Sequence, residues 1–325
     1  MGDSATGVHG AMSGPAAGAC GTGRRAGYAG AAYPATLGHV GTPRALERSG
    51  AWCLVRPIGD SGRVDAAGPY PFLVCHAWDR LPDDLASLAD DRDVGVVSVT
   101  TVTDPLAEID DATLGDAFPD LCRPYKSHYV IDLAAGPPPL DEHHRRNVRL
   151  GRRETTVEVL DRAVGWADDW VRLYGHLVER HAISGPAAFP AESLRAQLAI
   201  PGMLAVRAVH EGAVVGMTLW AMHDDRAYYH LGAYDETGYR VRASYAMFAE
   251  VIGTLAARGV RRVGLGAGAG THAASAGLER FKRGWATGTA PVRLCGRILD
   301  RVAYARLGGP EEAARASFFP AYRAA

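Results

Sequence analysis

Three short apolar segments joined by two-residue turns constrain the fold of this chain more than any other feature. The segments read MLAVRAV, AVVGMTLWAM and RAYYHLGAY, and the turns between them are Glu211-Gly212 and Asp224-Asp225. Turns this short permit only antiparallel pairing of the strands that they join. The pattern therefore predicts a three-stranded antiparallel meander.

A helix and a further strand follow the meander. Phe248, Val251, Ile252 and Leu255 recur on one face of the predicted helix, and Gly259 is its stop signal. The next segment, VRRVGLG, predicts a strand that must return to the sheet by a crossover. Two helices, GWADDWVRLYGHLVERHAI and AFPAESLRAQLA, precede the meander. This order predicts an α+β layer architecture.

The first half of the chain carries its own strand and helix patterns. AWCLVRPI, VGVVSVTTV and YKSHYVIDL predict strands, and LPDDLASLA predicts a short helix. The proline-rich break AAGPPPLDE leads into the basic helix LDEHHRRNVRLGRR, which we interpret as the junction between two halves. Residues 1–48 are rich in Gly and Ala, so we predict a disordered tail there.

Composition excludes several classes of protein. A hydrophobic content of 47% and a charged content of 22% are typical of soluble globular proteins. No apolar run is long enough to span a bilayer. The cysteines are odd in number, scattered and never in a C-x-x-C pair, which argues against a disulfide framework or a zinc site. We therefore predict a cytoplasmic protein without a metal.

Charge is distributed unevenly along the chain. Residues 1–140 carry 10 basic and 17 acidic side chains, whereas residues 141–325 carry 25 and 19. A polyanionic partner would bind the basic half, although high-arginine coding alone would produce the same imbalance. Arginine outnumbers lysine by 33 to 2. Lys282, in the segment LERFKRGW, is therefore a candidate for a site where arginine does not serve.

The order of meander, helix and strand resembles the GNAT acyltransferase fold. HHRRNVRLGRR, YYHLGAYDETGY and RFKRGW resemble the Fem-like branch of that superfamily, tandem-GNAT proteins that form amide bonds. The resemblance covers roughly residues 51–305. It implies an α+β fold of tandem GNAT-like domains, each a mixed, mostly antiparallel sheet flanked by helices. The implied domains are a degenerate one over 49–153 and a catalytic one over 154–325.

The resemblance also implies a catalytic lysine, which we carry over to Lys282. Amide formation needs a neutral amine close to the carbonyl and a donor for the developing oxyanion, and an ammonium group is a compact donor. The alternative is a solvated surface lysine. By strand alternation, Phe281 faces the side opposite to Lys282 and belongs to the core.

A carboxylate or imidazole is needed to take the proton of the amine. The candidates lie where the last meander strand ends, and they are Asp235, His230 and Tyr234. The alternative is that Asp235 is only a turn former and that His230 is a core histidine with its partners satisfied. No Cys-His pair or serine elbow is present to support covalent catalysis.

Two segments are candidates for donor binding. In GLGAGAGTHAASAG, glycines directly after a strand let backbone N–H groups approach a phosphate, although they also serve a permissive turn. Acyl-CoA-dependent GNAT proteins carry a Q/R-x-x-G-x-G/A loop before the helix that follows the meander, but the corresponding window 240–245 contains no glycine. Side chains there would have to bind phosphate instead. The donor-binding candidates are Gly266, Gly268, Gly270, Arg240, Arg242, Ser244 and Arg283.

Loss of that loop is what the Fem-like branch shows when its donor is an aminoacyl-tRNA. Arginine clusters at 145–153, 240–242, 258–262 and 280–283 would then contact phosphates. A thioester of CoA or of a carrier protein is the alternative donor, and a non-catalytic binding module is the alternative class. We predict no cofactor beyond the donor, no DNA partner, and a small-molecule or peptide-like amine as acceptor.

Overall fold

The computed structural model describes residues 26–91, 93–268, 276–308 and 318–324. In this part of the chain, eleven strands form one sheet in the order β1-β2-β3-β4-β11-β5-β10-β9-β8-β7-β6. The strands are β1 (Thr42–Leu46), β2 (Ala51–Pro57), β3 (Val64–Ala67), β4 (Val96–Val102), β5 (Leu121–Asp132), β6 (Thr156–Leu160), β7 (Met203–His210), β8 (Ala213–His223), β9 (Arg226–Tyr234), β10 (Arg262–Gly266) and β11 (Gly288–Ile298).

Ten α-helices are described in the same residues. They are α1 (Ala32–Ala35), α2 (Leu81–Asp90), α3 (Asp111–Ala117), α4 (Glu142–Glu154), α5 (Ala167–His181), α6 (Ala191–Gln197), α7 (Glu236–Arg240), α8 (Ala243–Ala257), α9 (Ala276–Arg283) and α10 (Arg301–Gly308).

The predicted meander is confirmed. β7, β8 and β9 pair antiparallel in sequence order, and α8 then crosses over so that β10 lies parallel to β9. The predicted helices correspond to α4, α5, α6 and α8, and the basic helix α4 starts at an Asp141 N-cap that accepts a hydrogen bond from the amide of His144. The mixed, mostly antiparallel α+β architecture is therefore confirmed.

Helices cover both faces of the sheet. Along β8, Met217 and Leu219 belong to the apolar layer that contains α5, whereas Val215 and Trp220 belong to the layer that contains α8. From Met217 to Trp220 this separation follows from the period of two along a strand, and the register shift beside Val215 places that residue on the other face. The sheet is therefore the middle of three layers, which fits its strongly apolar strands.

The two halves of the chain share this sheet by exchanging strands. β11, from the second half, pairs with both β4 and β5 of the first half, and β5 also pairs with β10. The halves are therefore not separate sheets as the tandem pattern implied. Alternation along a strand specifies which residues are buried, but it does not specify which strand lies next to it. The boundaries at 49 and 153 stay predictions.

The prediction of a disordered tail is wrong for residues 26–48. Tyr28, Tyr33 and Leu37 are buried in the same core as α5, and β1 starts at Thr42. Two tyrosines and a leucine among small residues bury enough apolar surface here because the sheet supplies the opposing wall, which local composition does not reveal. Residues 1–25 lie outside the described residues. No helix in the described ranges is long and apolar enough to cross a membrane.

Candidate active site

A cavity opens where β9 and β10 separate. The two parallel strands pair from Arg262 opposite Arg226 to Gly264 opposite Tyr228, and β9 then continues beside β8 to Tyr234 without β10 as a neighbour. The cavity has a volume of about 810 Å³ and is walled by β5, β9, β10, the segment 67–72 and the segment 318–323. A concave space of this size is sufficient for a ligand of several hundred daltons.

Lys282 projects into this cavity from α9. The expectation that Lys282 lies on a strand is wrong, because LERFKR is helical. The side chain is buried, with 6% of its surface exposed, so the solvated-lysine alternative does not hold. Its Nζ donates a hydrogen bond to the carbonyl of Ala267 at 2.7 Å and lies 5.7 Å from the ring centroid of Tyr229. Phe281 packs against the core at Phe248, as expected, but from a helix.

The environment of Lys282 weakens its hold on a proton. Burial lowers its pKa to about 8, and the positive charge of Lys126 contributes in the same direction. Both lysines of the chain line this one cavity. The sequence singled out Lys282 but not Lys126.

The cavity wall is electropositive. Four cationic side chains line it, and no aspartate or glutamate appears among its described lining residues. Behind the wall, the buried carboxylate of Asp65 pairs with Arg56 at 2.9 Å and accepts a hydrogen bond of 2.9 Å from Nη2 of Arg323. The carboxylate of Asp65 balances only one of the four positive charges. The four cations are Arg56, Lys126, Lys282 and Arg323.

His128 is a second titratable group in the wall that sequence reasoning missed. It is 7% exposed, and its Nδ1 has no hydrogen-bond partner among the described residues. Burial, together with the charges of Lys282 and Lys126, lowers the pKa of His128 to about 4, so its imidazole is neutral near pH 7. The alternation in YKSHYVIDL places Lys126 and His128 on one side of β5, and that signal was available in the sequence.

The glycines after β10 permit close packing around Lys282. Gly266 has φ +75°, a left-handed conformation, and a Cβ there would lie 3.2 Å from Nζ of Lys282. A Cβ on Gly268 would lie 2.6 Å from the side chain of Glu279. The loop therefore fits against α9. Gly270 lies outside the described residues.

His230 lies in the cavity wall with both ring nitrogens engaged. Nε2 donates to Oε1 of Gln197 at 3.1 Å, and Nδ1 accepts from the hydroxyl of Tyr28 at 2.8 Å. Burial lowers the pKa of His230 to about 3. This arrangement corresponds to the core-histidine alternative.

Tyr234 and Asp235 lie outside the cavity. Tyr234 is buried and packs against Tyr239, with ring centroids 5.5 Å apart. Asp235 caps α7, because its carboxylate accepts a hydrogen bond from the amide of Gly238 at 2.8 Å, and it lies 3.7 Å from Arg172. The structure thus separates these two candidates from Lys282.

The start of α8 differs from a glycine-rich phosphate loop. Arg242 is the N-cap residue with φ 64°, and its guanidinium donates to Oδ1 of Asn147 at 3.1 Å and to the carbonyl of Tyr239 at 3.1 Å. Arg240 is exposed, and Ser244 is half-buried in the first turn of α8. Arg240 is therefore the freer of the two arginines to bind a phosphate.

Three of the four arginine clusters lie on one side of the molecule. Tyr245 of α8 is 5.0 Å from Phe281 of α9, measured between ring centroids, and its hydroxyl is 3.3 Å from Nε2 of His143 on α4, so these three helices meet there. Exposed arginines near this meeting point form what we call the basic face. Its members are Arg145, Arg149, Arg240, Arg242, Arg280 and Arg283.

The fourth cluster is elsewhere. Arg258 forms an ion pair with Asp161. Arg262 lies at the other end of β10 and donates to the carbonyl of Leu106 at 3.1 Å. These arginines are therefore not available to a ligand that spans the basic face.

A group of possible metal ligands lies apart from the cavity. Ligand atoms of His76, His223 and Asp224 lie within 4.8 Å of one another, and none of the three residues lines the cavity. The sequence predicted no metal site, because these residues come together only through the fold.

Residues 142–283, from the start of α4 to the end of α9, match the family model of the acetyltransferase (GNAT) domain. This part of the chain therefore resembles a GNAT domain, and the match supports an acyltransferase. No curated protein matches the sequence.

Solved structures extend the comparison to nearly the whole chain. FemX shares 14% identity at a TM-score of 0.62, over 86% of this chain and 93% of FemX. The C-terminal domain of a putative lysylphosphatidylglycerol synthetase from Agrobacterium fabrum shares 15% identity at a TM-score of 0.57, over 81% and 86%. L-PGS from Bacillus licheniformis shares 16% identity at a TM-score of 0.50, over 83% and 91%. The chain thus shares its fold with these solved structures.

Proposed function

We propose that this acyltransferase moves an aminoacyl group from aminoacyl-tRNA to the amine of a small-molecule or peptide-like acceptor. The observation that carries the proposal is the position of α9. One side of this helix places Lys282 in the cavity, and its exposed arginines belong to the basic face. The phosphates of the tRNA would contact the exposed arginines of α9, while the reacting carbonyl of the aminoacyl group would contact Lys282 inside the cavity.

Lys282 would stabilise the oxyanion that forms when the amine attacks the ester. At a pKa of about 8 it is mostly protonated near pH 7, and its Nζ is held at the end of β10 by a single carbonyl. A donor fixed in position before the reaction costs no reorganisation in the transition state. Ammonium also suits this role because it is compact.

His128, rather than Asp235 or His230, would take the proton of the amine. It is neutral, lies in the same cavity as Lys282 and has an open Nδ1. An anionic group on the bound ligand would offset the charges of Lys126 and Lys282, which would raise the pKa of His128 toward the range of an effective base. The cationic wall favours such a group on a substrate.

The basic face would position the tRNA through its phosphates. Several of its arginines already hold acidic partners, such as Arg145 and Arg149 with Glu142, both at 3.2 Å. Exposed pairs of this kind are weak and exchange readily for phosphate. A cytoplasmic location, the absence of a cofactor and the absence of a DNA partner belong to the same proposal.

A thioester donor is the second candidate, and the acetyltransferase family match favours it. Against it, the window at the start of α8 has no glycine to bring its amides close to a pyrophosphate. The arginine side chains would have to replace that cradle. A non-catalytic binding module would catalyse neither aminoacyl transfer from tRNA nor acyl transfer from a thioester.

The deciding experiment incubates the full chain with bulk aminoacyl-tRNA and a mixture of amines at two salt concentrations, with acyl-CoA in a parallel tube. We expect the parent protein to bind tRNA in a salt-sensitive way and to remove the aminoacyl group from it. The Lys282→Met variant should bind tRNA equally well but should not remove the aminoacyl group. Saturable CoA binding and indifference to tRNA would return the protein to thioester-dependent acyl transfer. Binding without turnover in the parent protein would favour the binding module.

A further inference from the structure

Two cysteine thiols that are far apart in sequence touch across neighbouring strands. Cys122 of β5 is the direct register partner of Cys295 of β11, and their Sγ atoms are 3.7 Å apart. Directly opposed residues of an antiparallel pair have Cα atoms about 4.5–5.5 Å apart, within the range of about 4.4–6.8 Å that a disulfide spans. The backbone therefore already has the spacing of a disulfide, and only side-chain rotation is needed.

The two thiols differ in access. Cys122 is half-buried, and Nη1 of Arg293 lies 4.0 Å from its Sγ. The same guanidinium also pairs with Asp111 at 2.8 Å. Cys295 is fully buried, and burial together with its neighbour Cys122 raises the pKa of its thiol. An external reagent therefore reaches Cys122 first.

We infer that Cys122 and Cys295 are an oxidation site that forms a reversible cross-strand disulfide by exchange with a low-molecular-weight disulfide. The Cys122 thiolate attacks one sulfur of the reagent, which forms a mixed disulfide and releases one thiolate. Cys295, after losing its proton, attacks Sγ of Cys122 and releases the second. The two protein thiols are oxidised to one disulfide, and the reagent is reduced to two thiols, which take up the two protons.

The geometry offsets the low acidity of Cys295. Its Sγ is held beside the sulfur that it must attack, and well-oriented intramolecular reactions gain effective concentrations on the order of 10⁵ M or more. Few thiolates are therefore needed for ring closure. No residue between the two sulfurs has to move aside, because they are already in contact.

The crosslink would fix a part of the sheet that adjoins the cavity. Lys126 and His128 follow Cys122 on β5, and the pairing of β5 with β11 shifts register between Val292 and Arg293, close to the two cysteines. A covalent link there joins strands from the two halves of the chain. It removes conformational freedom from the unfolded chain, so the oxidised protein should unfold at a higher temperature, by roughly 3–8 °C.

The test treats the full chain with oxidised glutathione, alkylates the remaining thiols after denaturation and maps the peptides by mass spectrometry. The expected product links the peptides of Cys122 and Cys295 and is lighter by two hydrogen atoms than the reduced pair. The link should be absent in Cys122→Ser and should persist in Cys53→Ser, a control that removes a different buried thiol. Full alkylation of both cysteines, or glutathione retained on Cys122, would overturn the inference.

A second readout does not depend on a variant at the buried position. The oxidised parent protein should show the higher unfolding temperature, and a reductant should remove the gain. The half-buried Cys122→Ser variant should show the same unfolding temperature with and without oxidant. An equal shift in parent and variant would assign the effect to another thiol.

Discussion

Helix α9 presents two kinds of cation to two different environments. Lys282 is buried in the cavity wall with one carbonyl as its hydrogen-bond partner, whereas Arg280 and Arg283 are exposed on the basic face. Burial lowers the pKa of the lysine to about 8. A guanidinium stays charged under the same conditions, and its planar fork is suited to positioning a phosphate.

This contrast indicates different roles for the two sides of the helix. A buried ammonium costs stability, and its benefit is catalytic, because it stabilises a negative charge that develops in the transition state. Exposed arginines cost little, and salt screens their attraction for a polyanion. Chemistry is therefore expected to depend on Lys282, and donor affinity on the basic face.

The largest expected effect comes from removing the buried ammonium. Lys282→Ala should lower kcat by about 10²-fold or more, because a preorganised oxyanion donor is lost. Lys282→Met, which keeps the apolar stem, should lose as much activity and should unfold at the same temperature or higher at pH 7. Arg195→Ala, at an exposed position of α6, is the control for loss of a cation. A rate for Lys282→Met within a few-fold of the parent would end this role.

A smaller effect is expected from the basic face. Arg240→Ala combined with Arg242→Ala should weaken donor binding and reduce the slope of log affinity against log salt concentration by about 1 for each phosphate that is no longer neutralised. Arg242→Ala also removes the hydrogen bond from Arg242 to Asn147. Arg240→Ala alone therefore tests donor binding without that structural change. An unchanged slope in filter-binding assays would remove both arginines from the donor site.

The pH dependence of turnover should separate the two lysines. If protonated Lys282 is required, kcat/KM falls about tenfold per pH unit above about 8. Lys126→Met removes a repelling charge, so the pKa of Lys282 rises and the falling limb moves to higher pH by about 0.5–1 unit. If the falling limb of kcat/KM does not move in Lys126→Met, a group other than Lys282 titrates there.

The free energy of unfolding should also depend on pH in this range. The pKa of Lys282 is lower in the folded state than the value of 10.5 for an unperturbed lysine, so the unfolded chain binds the proton more tightly. The free energy of unfolding should therefore rise with pH between about 8 and 10.5. This rise should disappear in Lys282→Met, and denaturant titrations at several pH values would measure it.

The smallest effect is expected outside the cavity. Asp235→Asn should keep the cap on α7, since asparagine accepts the same backbone hydrogen bond, and kcat should stay within a few-fold of the parent. A loss of about 10²-fold with an unchanged unfolding temperature would instead return Asp235 to the role of general base. His128→Gln is the matched comparison, for which the larger loss is expected.

Much of the fold could be predicted from the sequence. The turns at 211–212 and 224–225 predicted the meander, and the apolar face of Phe248, Val251 and Leu255 predicted the helix after it, because short-range periodicity reflects local geometry. Lys282 was found because lysine is so rare in this chain. Its helical setting was missed, since a short segment such as LERFKRGW is compatible with either period.

The composition of the cavity could not be predicted in the same way. Lys126 and His128 lie on β5, and they face Lys282 because β5 pairs with β10 of the second half. Tyr28 and Tyr33 were assigned to a disordered tail, although they are part of the core that supports His230. Such contacts depend on pairing between distant segments, which residue spacing does not encode.

By itself, the sequence determined the meander, the helix and strand that follow it, the helices α4, α5 and α6, and the rarity of lysine that singles out Lys282, since these depend on periodicity, turn chemistry and residue type. Only the tertiary structure decided that the two halves share a sheet, that both lysines enter one cavity, and that Cys122 touches Cys295. The physical reason is that local preferences act over a few residues, whereas these contacts arise from burying apolar surface between segments more than a hundred residues apart.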